Sequence, residues 1–270
     1  MKLNRRSAIM GSLSAAIATS IPAMGCAQAS NNSGSKANRV SRSGVTQLTV
    51  LGVIHSNHRN SRAYSLDVLQ QAVRRAQPDV ILTEIPPDRI AEAKRGFAET
   101  GEVTESRTRV FPEYTDVVFP LSREMDFEIV ATAGWTIDIH NNRRDALQRI
   151  ENDPARVSQW AEHLAARRQY SRDLRGRGDD PLFIHTSEYD AFVERAQTPY
   201  QTHFDADLGA GGWTQINRAH TDLINAELDK ITGQGLNALI TFGSWHKYMI
   251  LRSLAGRDDI ELRDPQRLFS

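Results

Sequence analysis

The sequence of 270 residues contains a single cysteine, Cys26, so no disulfide can form within the chain. Its 33 basic and 33 acidic residues cancel, so it lacks the positive excess typical of nucleic-acid-binding proteins. Beyond the N-terminus, no apolar run approaches the ~20 residues that a membrane-spanning helix needs. We therefore expect a soluble folded part with no nucleic acid among its partners.

Several catalytic motifs are also missing. The glycine-rich residues 209–212 follow no predicted strand and precede no Lys-Ser/Thr pair, so they do not form a phosphate-binding loop. We expect them to be a hinge over a site instead. The sequence has neither a nucleophile elbow nor a cysteine outside its N-terminal region, so covalent acyl-enzyme chemistry is unsupported.

Residues 1–29 are predicted to be an export signal. Arg5 and Arg6 precede a weakly apolar stretch without acidic residues, and the adjacent arginines favour the twin-arginine route. Two cleavage patterns compete: Cys26 ends a lipobox-like Ala-Met-Gly-Cys and would be lipidated, whereas residues 27–29 form an ordinary signal-peptidase site. We expect a periplasmic protein or a membrane-anchored lipoprotein, with its only membrane contact through that lipid and a polar tether over residues 30–46.

From residue 47 to residue 270, short apolar runs alternate with helical patterns. Continuous apolar strands separated by helices predict an α/β fold, with a mainly parallel central sheet flanked by helices. Residues 141–235 contain no convincing strand and predict a helical insertion in the second half, packed over one edge of the sheet. The predicted strands cover residues 47–54, 79–85, 128–132, 236–242 and 260–262, and helices are predicted over residues 63–76, 112–125 and 245–254 and after Pro87.

Two predicted strands end in the same Gly-x-x-His pattern, which pairs Gly52 with His55 and Gly243 with His246. Glu84 ends the second predicted strand. In a parallel sheet, ligands bind in the crevice outside the carboxyl ends of the strands, and a glycine there permits close approach. Two imidazoles and a carboxylate at one edge would suit either a divalent metal or general acid–base chemistry.

Each of these residues also has a purely structural interpretation. His55 could be a loop residue, Glu84 could cap the helix after Pro87, and His246 could simply face the sheet from the first turn of a helix. Their joint position at three strand ends favours a site. His58 is either a further ligand or part of a solvated loop. Most of the remaining histidines are expected at the surface: His140, His163, His185, His203 and His220.

The two Gly-x-x-His turns and the strand-end glutamate resemble the TraB/PrgY/GumN/Tiki family, whose wider relatives are the erythromycin-esterase and ChaN-like proteins. The resemblance covers most of residues 48–262 and implies their α/β fold. In Tiki-like members the two histidines and the acid are implicated in metal-dependent peptide cleavage, which implies catalytic and metal-binding roles for His55, Glu84 and His246. The Arg-Asn pair of the family has a counterpart in Asn217-Arg218, in reverse order.

The predicted function is hydrolysis of an amide or ester bond in a peptide or small molecule, with Mn²⁺, Co²⁺ or Zn²⁺ as cofactor. Asn217 and Arg218 would bind substrate, Trp135 could line the pocket, and Trp245 could form an apolar wall. Two alternatives stay open: a metal-independent esterase, as in the erythromycin-esterase relatives, and a non-catalytic lipoprotein that binds haem or another ligand, as in the ChaN-like ones. Haem would lie against His58, Trp245 and Tyr248.

Overall fold

The structure is a computed structural model that describes residues 44–270. The predicted signal, Cys26 and all but the last three residues of the predicted tether lie outside the described residues. Among the helices of residues 44–270, none combines the length and the hydrophobicity that a membrane span requires.

Five parallel strands form one sheet in the order β3-β2-β4-β1-β5, which confirms the predicted α/β fold. β4 lies between β1 and β2, so the three strands predicted to carry site residues are neighbours. Their parallel direction brings all three carboxyl ends to one edge. The strands are β1 (Thr46–Val53), β2 (Val80–Thr83), β3 (Glu128–Ala131), β4 (Asn237–Gly243) and β5 (Ile260–Arg263).

Both faces of the sheet are covered, as a parallel sheet requires. Leu48 and Val50 of β1 pack into one apolar cluster, whereas Leu51 and Val53 pack into another on the opposite face. The α-helices of the described residues are α1 (Leu66–Ala76), α2 (Ile90–Thr100), α3 (Phe119–Leu121), α4 (Ile137–Glu151), α5 (Val157–Leu174), α6 (Pro181–Ile184), α7 (Ser187–Leu208), α8 (Trp213–Ile231) and α9 (Lys247–Leu254), of which α5 packs mainly on α7 rather than on the sheet.

Two helical predictions differ most from the structure. The helix expected over residues 112–125 is a π-helix, Glu113–Val118, followed by the short α3. Pro120 has no backbone N–H and cannot continue a regular α-helical ladder, which accounts for the interruption. The helical insertion begins with α4 at Ile137, four residues before the predicted boundary.

Candidate functional site

The carboxylate of Glu84 lies between the two predicted histidines. Its Oε2 is 3.8 Å from Nε2 of His55, and its Oε1 is 3.8 Å from Nε2 of His246. The side chain of Glu84 is buried, with 6 % of its surface exposed, whereas that of His55 is 35 % exposed. The structure therefore brings the three predicted residues to one end of the sheet, with one carboxylate oxygen facing each imidazole.

The paired register of β1 and β4 explains the two glycines. Val53 is paired with Gly243, so the two Gly-x-x-His turns leave the sheet side by side. A Cβ at Gly243 would lie 2.5 Å from Nε2 of His55 and 3.3 Å from Oε2 of Glu84. A Cβ at Gly52 would lie 3.1 Å from the Cα of Ser244. Each glycine thus makes room for the opposite turn.

Backbone contacts hold Glu84 in place. The backbone N–H of Gly243 donates to Oε2 of Glu84 at 2.8 Å, and the backbone N–H of Glu84 donates to the hydroxyl of Tyr114 at 2.7 Å. That hydroxyl in turn donates to the carbonyl of Thr241 at 2.7 Å. The carboxylate therefore faces the strand ends, and it does not cap α2, which begins only at Ile90.

His55 is oriented by a second buried carboxylate, that of Glu113. Its Nδ1 lies 2.5 Å from Oε1 of Glu113, which the π-helix supplies. Burial lowers the pKa of His55, but the hydrogen bond to Glu113 and the charges of Glu113 and Glu84 outweigh it and raise the pKa to about 9. The residue has a φ of 50°, a left-handed conformation that non-glycine residues adopt mainly where the surrounding structure requires it.

His246 is oriented by Asn217 of α8. The side-chain NH₂ of Asn217 donates to the carbonyl of Trp213, so its Oδ1 is the atom that accepts from Nδ1 of His246, at 2.7 Å. The imidazole also stacks on the Trp213 ring, at 4.7 Å between centroids. Burial lowers the pKa of His246 to about 3, although the charge of Glu84 opposes the shift. Its Nε2 therefore presents a lone pair to Glu84.

His220 is a site residue that sequence reasoning missed. We expected it at the surface, but it is fully buried, with its ring 5.0 Å from that of His246. The backbone N–H of Gly134 donates to its Nδ1 at 2.8 Å, so the neutral ring carries its proton on Nε2. Burial lowers its pKa to about 3, and its Nε2 has no partner among residues 44–270.

Distances and protonation select different metal ligands. The ligand atoms of Glu84, His220 and His246 lie within 4.8 Å of one another, and His55 is not part of that group. A metal binds an imidazole through a lone pair, while the other ring nitrogen usually donates its proton. His246 and His55 fit this rule through Asn217 and Glu113, whereas His220 carries its proton on the nitrogen left for a ligand. The hydrogen bonds at Nδ1 thus favour His55, Glu84 and His246, and because the pKa of His55 is raised to about 9, its imidazolium must release the Nε2 proton when a metal binds.

Two cavities meet at these imidazoles, and His55 and His246 line both. The large cavity, about 730 Å³, contains Trp245 and Tyr170 in its wall. The second cavity has a volume of about 480 Å³ and is lined in part by Arg107, Arg143 and Trp135. We call it the basic cavity. Both predicted tryptophans therefore line a cavity next to the site.

The two residues of the predicted Asn217-Arg218 pair lie in different environments. Asn217 is buried against His246, whereas the side chain of Arg218 is 74 % exposed and lies 3.8 Å from Asp222 on the surface of α8. Arg218 therefore makes no contribution to the pocket. Trp213, Asn217 and His220 share one face of α8 at spacings of four and three residues, and this polar-aromatic stripe is the signal that could have revealed His220.

Two of the three residues expected to lie against haem, His58 and Tyr248, are buried, whereas Trp245 lines the large cavity. His58 is buried, its Nε2 accepts from the N–H of Ile54, and its Nδ1 donates to the carbonyl of Tyr64. Tyr248 is also buried, and its hydroxyl accepts a hydrogen bond from Trp213. His58 is therefore a core residue, neither a further ligand nor part of a solvated loop.

The fold and the site define an α/β protein with a His–Glu–His cluster at the carboxyl ends of three adjacent parallel strands. No family model, curated protein or solved structure matches the chain. The family resemblance stays a prediction, and the case for a function depends on the geometry of the site.

Proposed function

We propose that the protein is a hydrolase of amide or ester bonds that uses a divalent metal held by His55, Glu84 and His246. The observation that supports it is a buried carboxylate between two imidazoles whose pKa values are shifted in opposite directions, to about 9 and about 3. Such separation is typical of acid–base sites. The metal would supply a bound water of pKa ~7 and polarise the scissile carbonyl.

Three buried side chains support this set. Glu113 and Asn217 accept the Nδ1 protons of the two site histidines, so both Nε2 atoms face Glu84. The Nε2–H of His220 has no acceptor among the described residues, so it is available to donate to the oxygen that becomes negative as the carbonyl turns tetrahedral.

A second candidate is the same hydrolysis without a metal. It is favoured by the raised pKa of His55, which leaves this imidazole protonated at neutral pH. His55 would then donate a proton to the leaving group while Glu84 accepts one from water. The residues are the same, so the two candidates differ in whether a metal is required.

Metal analysis of the tag-free protein tests the proposal. We expect one metal ion per chain in the wild type and in His220→Gln, and none in His246→Gln. With a panel of ester and peptide substrates, a chelator should abolish turnover, and Mn²⁺, Co²⁺ or Zn²⁺ should restore it. Equal metal content in wild type and His246→Gln would remove the metal site. Turnover that persists in chelator would favour the second candidate, and no turnover with any substrate would count against hydrolysis.

A further inference from the structure

Two guanidinium groups line the basic cavity, and the third basic residue there, His140, is an uncharged imidazole because burial and the nearby arginines lower its pKa. Arg107, Arg143 and His140 all line it and are all half-buried, and Glu84 is the acidic side chain in its wall. Glu84 already faces His55 and His246.

Neither Arg107 nor Arg143 forms an ion pair with a carboxylate of residues 44–270, and the guanidinium group of Arg143 lies against the rings of Trp135 and Tyr200, at 5.9 and 5.8 Å from their centroids. In contrast, Arg144, the next residue of α4, is 62 % exposed and lies 3.0 Å from Asp145. Half-buried guanidinium groups without a carboxylate partner favour an oxyanion, which they can bind through paired N–H donors.

Packing brings Arg143 close to the site. A Cβ at Gly211 would lie 2.7 Å from the Cβ of Arg143, so the glycine-rich turn allows α4 to approach. The guanidinium carbon lies 5.9 Å from the ring centroid of Trp135. Arg143 and His246 line the same cavity, so the guanidinium and the site share one enclosed space.

We propose that the basic cavity binds an oxyanionic group of the substrate, a carboxylate or a phosphate, through Arg107 and Arg143. That this group lies next to the scissile bond rests on the proposed function, whereas binding of the anion does not. The remainder of the substrate would then extend past His55 and His246 into the large cavity, where Trp245 and Tyr170 offer an aromatic wall.

Isothermal titration calorimetry with inorganic phosphate and with acetate tests this proposal. The protein is kept metal-free with a chelator, so that phosphate cannot bind a metal, and the ionic strength is low because salt screens such contacts. We expect the wild type to bind at least one of the two anions, and Arg107→Gln and Arg143→Gln each to weaken binding at least tenfold. Arg144→Gln is the matched control and should keep wild-type affinity.

His55→Gln separates this inference from the proposed function, since it should lose turnover and still bind the anion. The stronger of the two anions identifies the group as phosphate or carboxylate. Thermal melting by circular dichroism checks each variant, and because Arg107 and Arg143 lie on different segments, either one that folds decides the outcome. No binding of either anion by the wild type, or unchanged affinity in a folded arginine variant, would overturn the proposal.

Discussion

Replacement of Gly243 by alanine is the sharpest test of the site's geometry. The residue ends β4, and alanine there adds a single carbon atom next to the site histidine. The new Cβ would lie 2.5 Å from Nε2 and 3.1 Å from Cε1 of His55. Because the backbone of Gly243 also donates to Glu84, the strand cannot move away without loss of that hydrogen bond.

The structure sets the size of the effect. Non-bonded heavy atoms prefer separations of ~3.5–4.0 Å, so the imidazole must move by about 1 Å. A displacement of about 1 Å at a reacting group can lower the rate ~100-fold. Overpacking of this kind lowers the free energy of unfolding by about 1–3 kcal/mol, which leaves most domains folded.

An NMR titration of the His55 imidazole in metal-free protein detects the displacement without any substrate. In the wild type the pKa should be about 9. In Gly243→Ala a displacement of about 1 Å disturbs the contacts with Glu113 and Glu84 that raise the pKa of His55, so this pKa should fall toward the ordinary value of ~6.5. Turnover of the best ester or peptide substrate should fall about 100-fold in parallel.

Gly52→Ala is the matched control. Its Cβ would lie 3.1 Å from both Cα and Cβ of Ser244, so it strains the same pair of turns without contact with His55. We expect a comparable loss of stability in a denaturant titration, with the pKa of His55 still near 9. If Gly243→Ala also kept that pKa, the idea that Gly243 makes room for His55 would be refuted.

Two further predictions concern buried partners. Asn217→Ala should weaken metal binding ~10–100-fold in a competition titration, because His246 loses the acceptor of its Nδ1 proton, while exposed Arg218→Ala should not; equal effects would contradict this role. His185, whose Nε2 accepts from the N–H of Gly52, has its pKa lowered to about 4, mainly by burial. Between pH ~4 and pH ~6.5 the His185 imidazole is protonated in the unfolded chain but not in the folded one. The contribution of His185 to the free energy of unfolding is therefore present above pH ~6.5 and falls by about 2 kcal/mol from pH 7 to pH 5. Denaturant titrations should therefore show a fall about 2 kcal/mol smaller in His185→Gln, and identical pH slopes would refute the assignment.

Much of the sheet could be predicted from the sequence because its strands are short apolar runs closed by turn residues. The run at residues 236–242 corresponds to β4, Asn237–Gly243, within one residue at each end. Helix starts were less predictable, since Pro87 is followed by a turn and α2 begins at Ile90. The π-helix could not be predicted from periodicity, because its spacing departs from 3.6 only over Glu113–Val118.

The same contrast applies to the site. His55, Glu84 and His246 could be predicted because parallel strands fix where their carboxyl ends lie, whatever else the chain does. The stripe on α8 indicates that His220 is buried, but neither its contact with the site nor that of Glu113 could be predicted, since both come from helices whose distance to the sheet is decided by packing. Gly134, where a Cβ would lie 2.4 Å from the Cβ of Ala219, permits the close approach of α8. The strands thus determine which groups meet, whereas the docked helices determine where each proton lies. Removal of one of these helix side chains should therefore change which site atoms carry protons while the fold is retained.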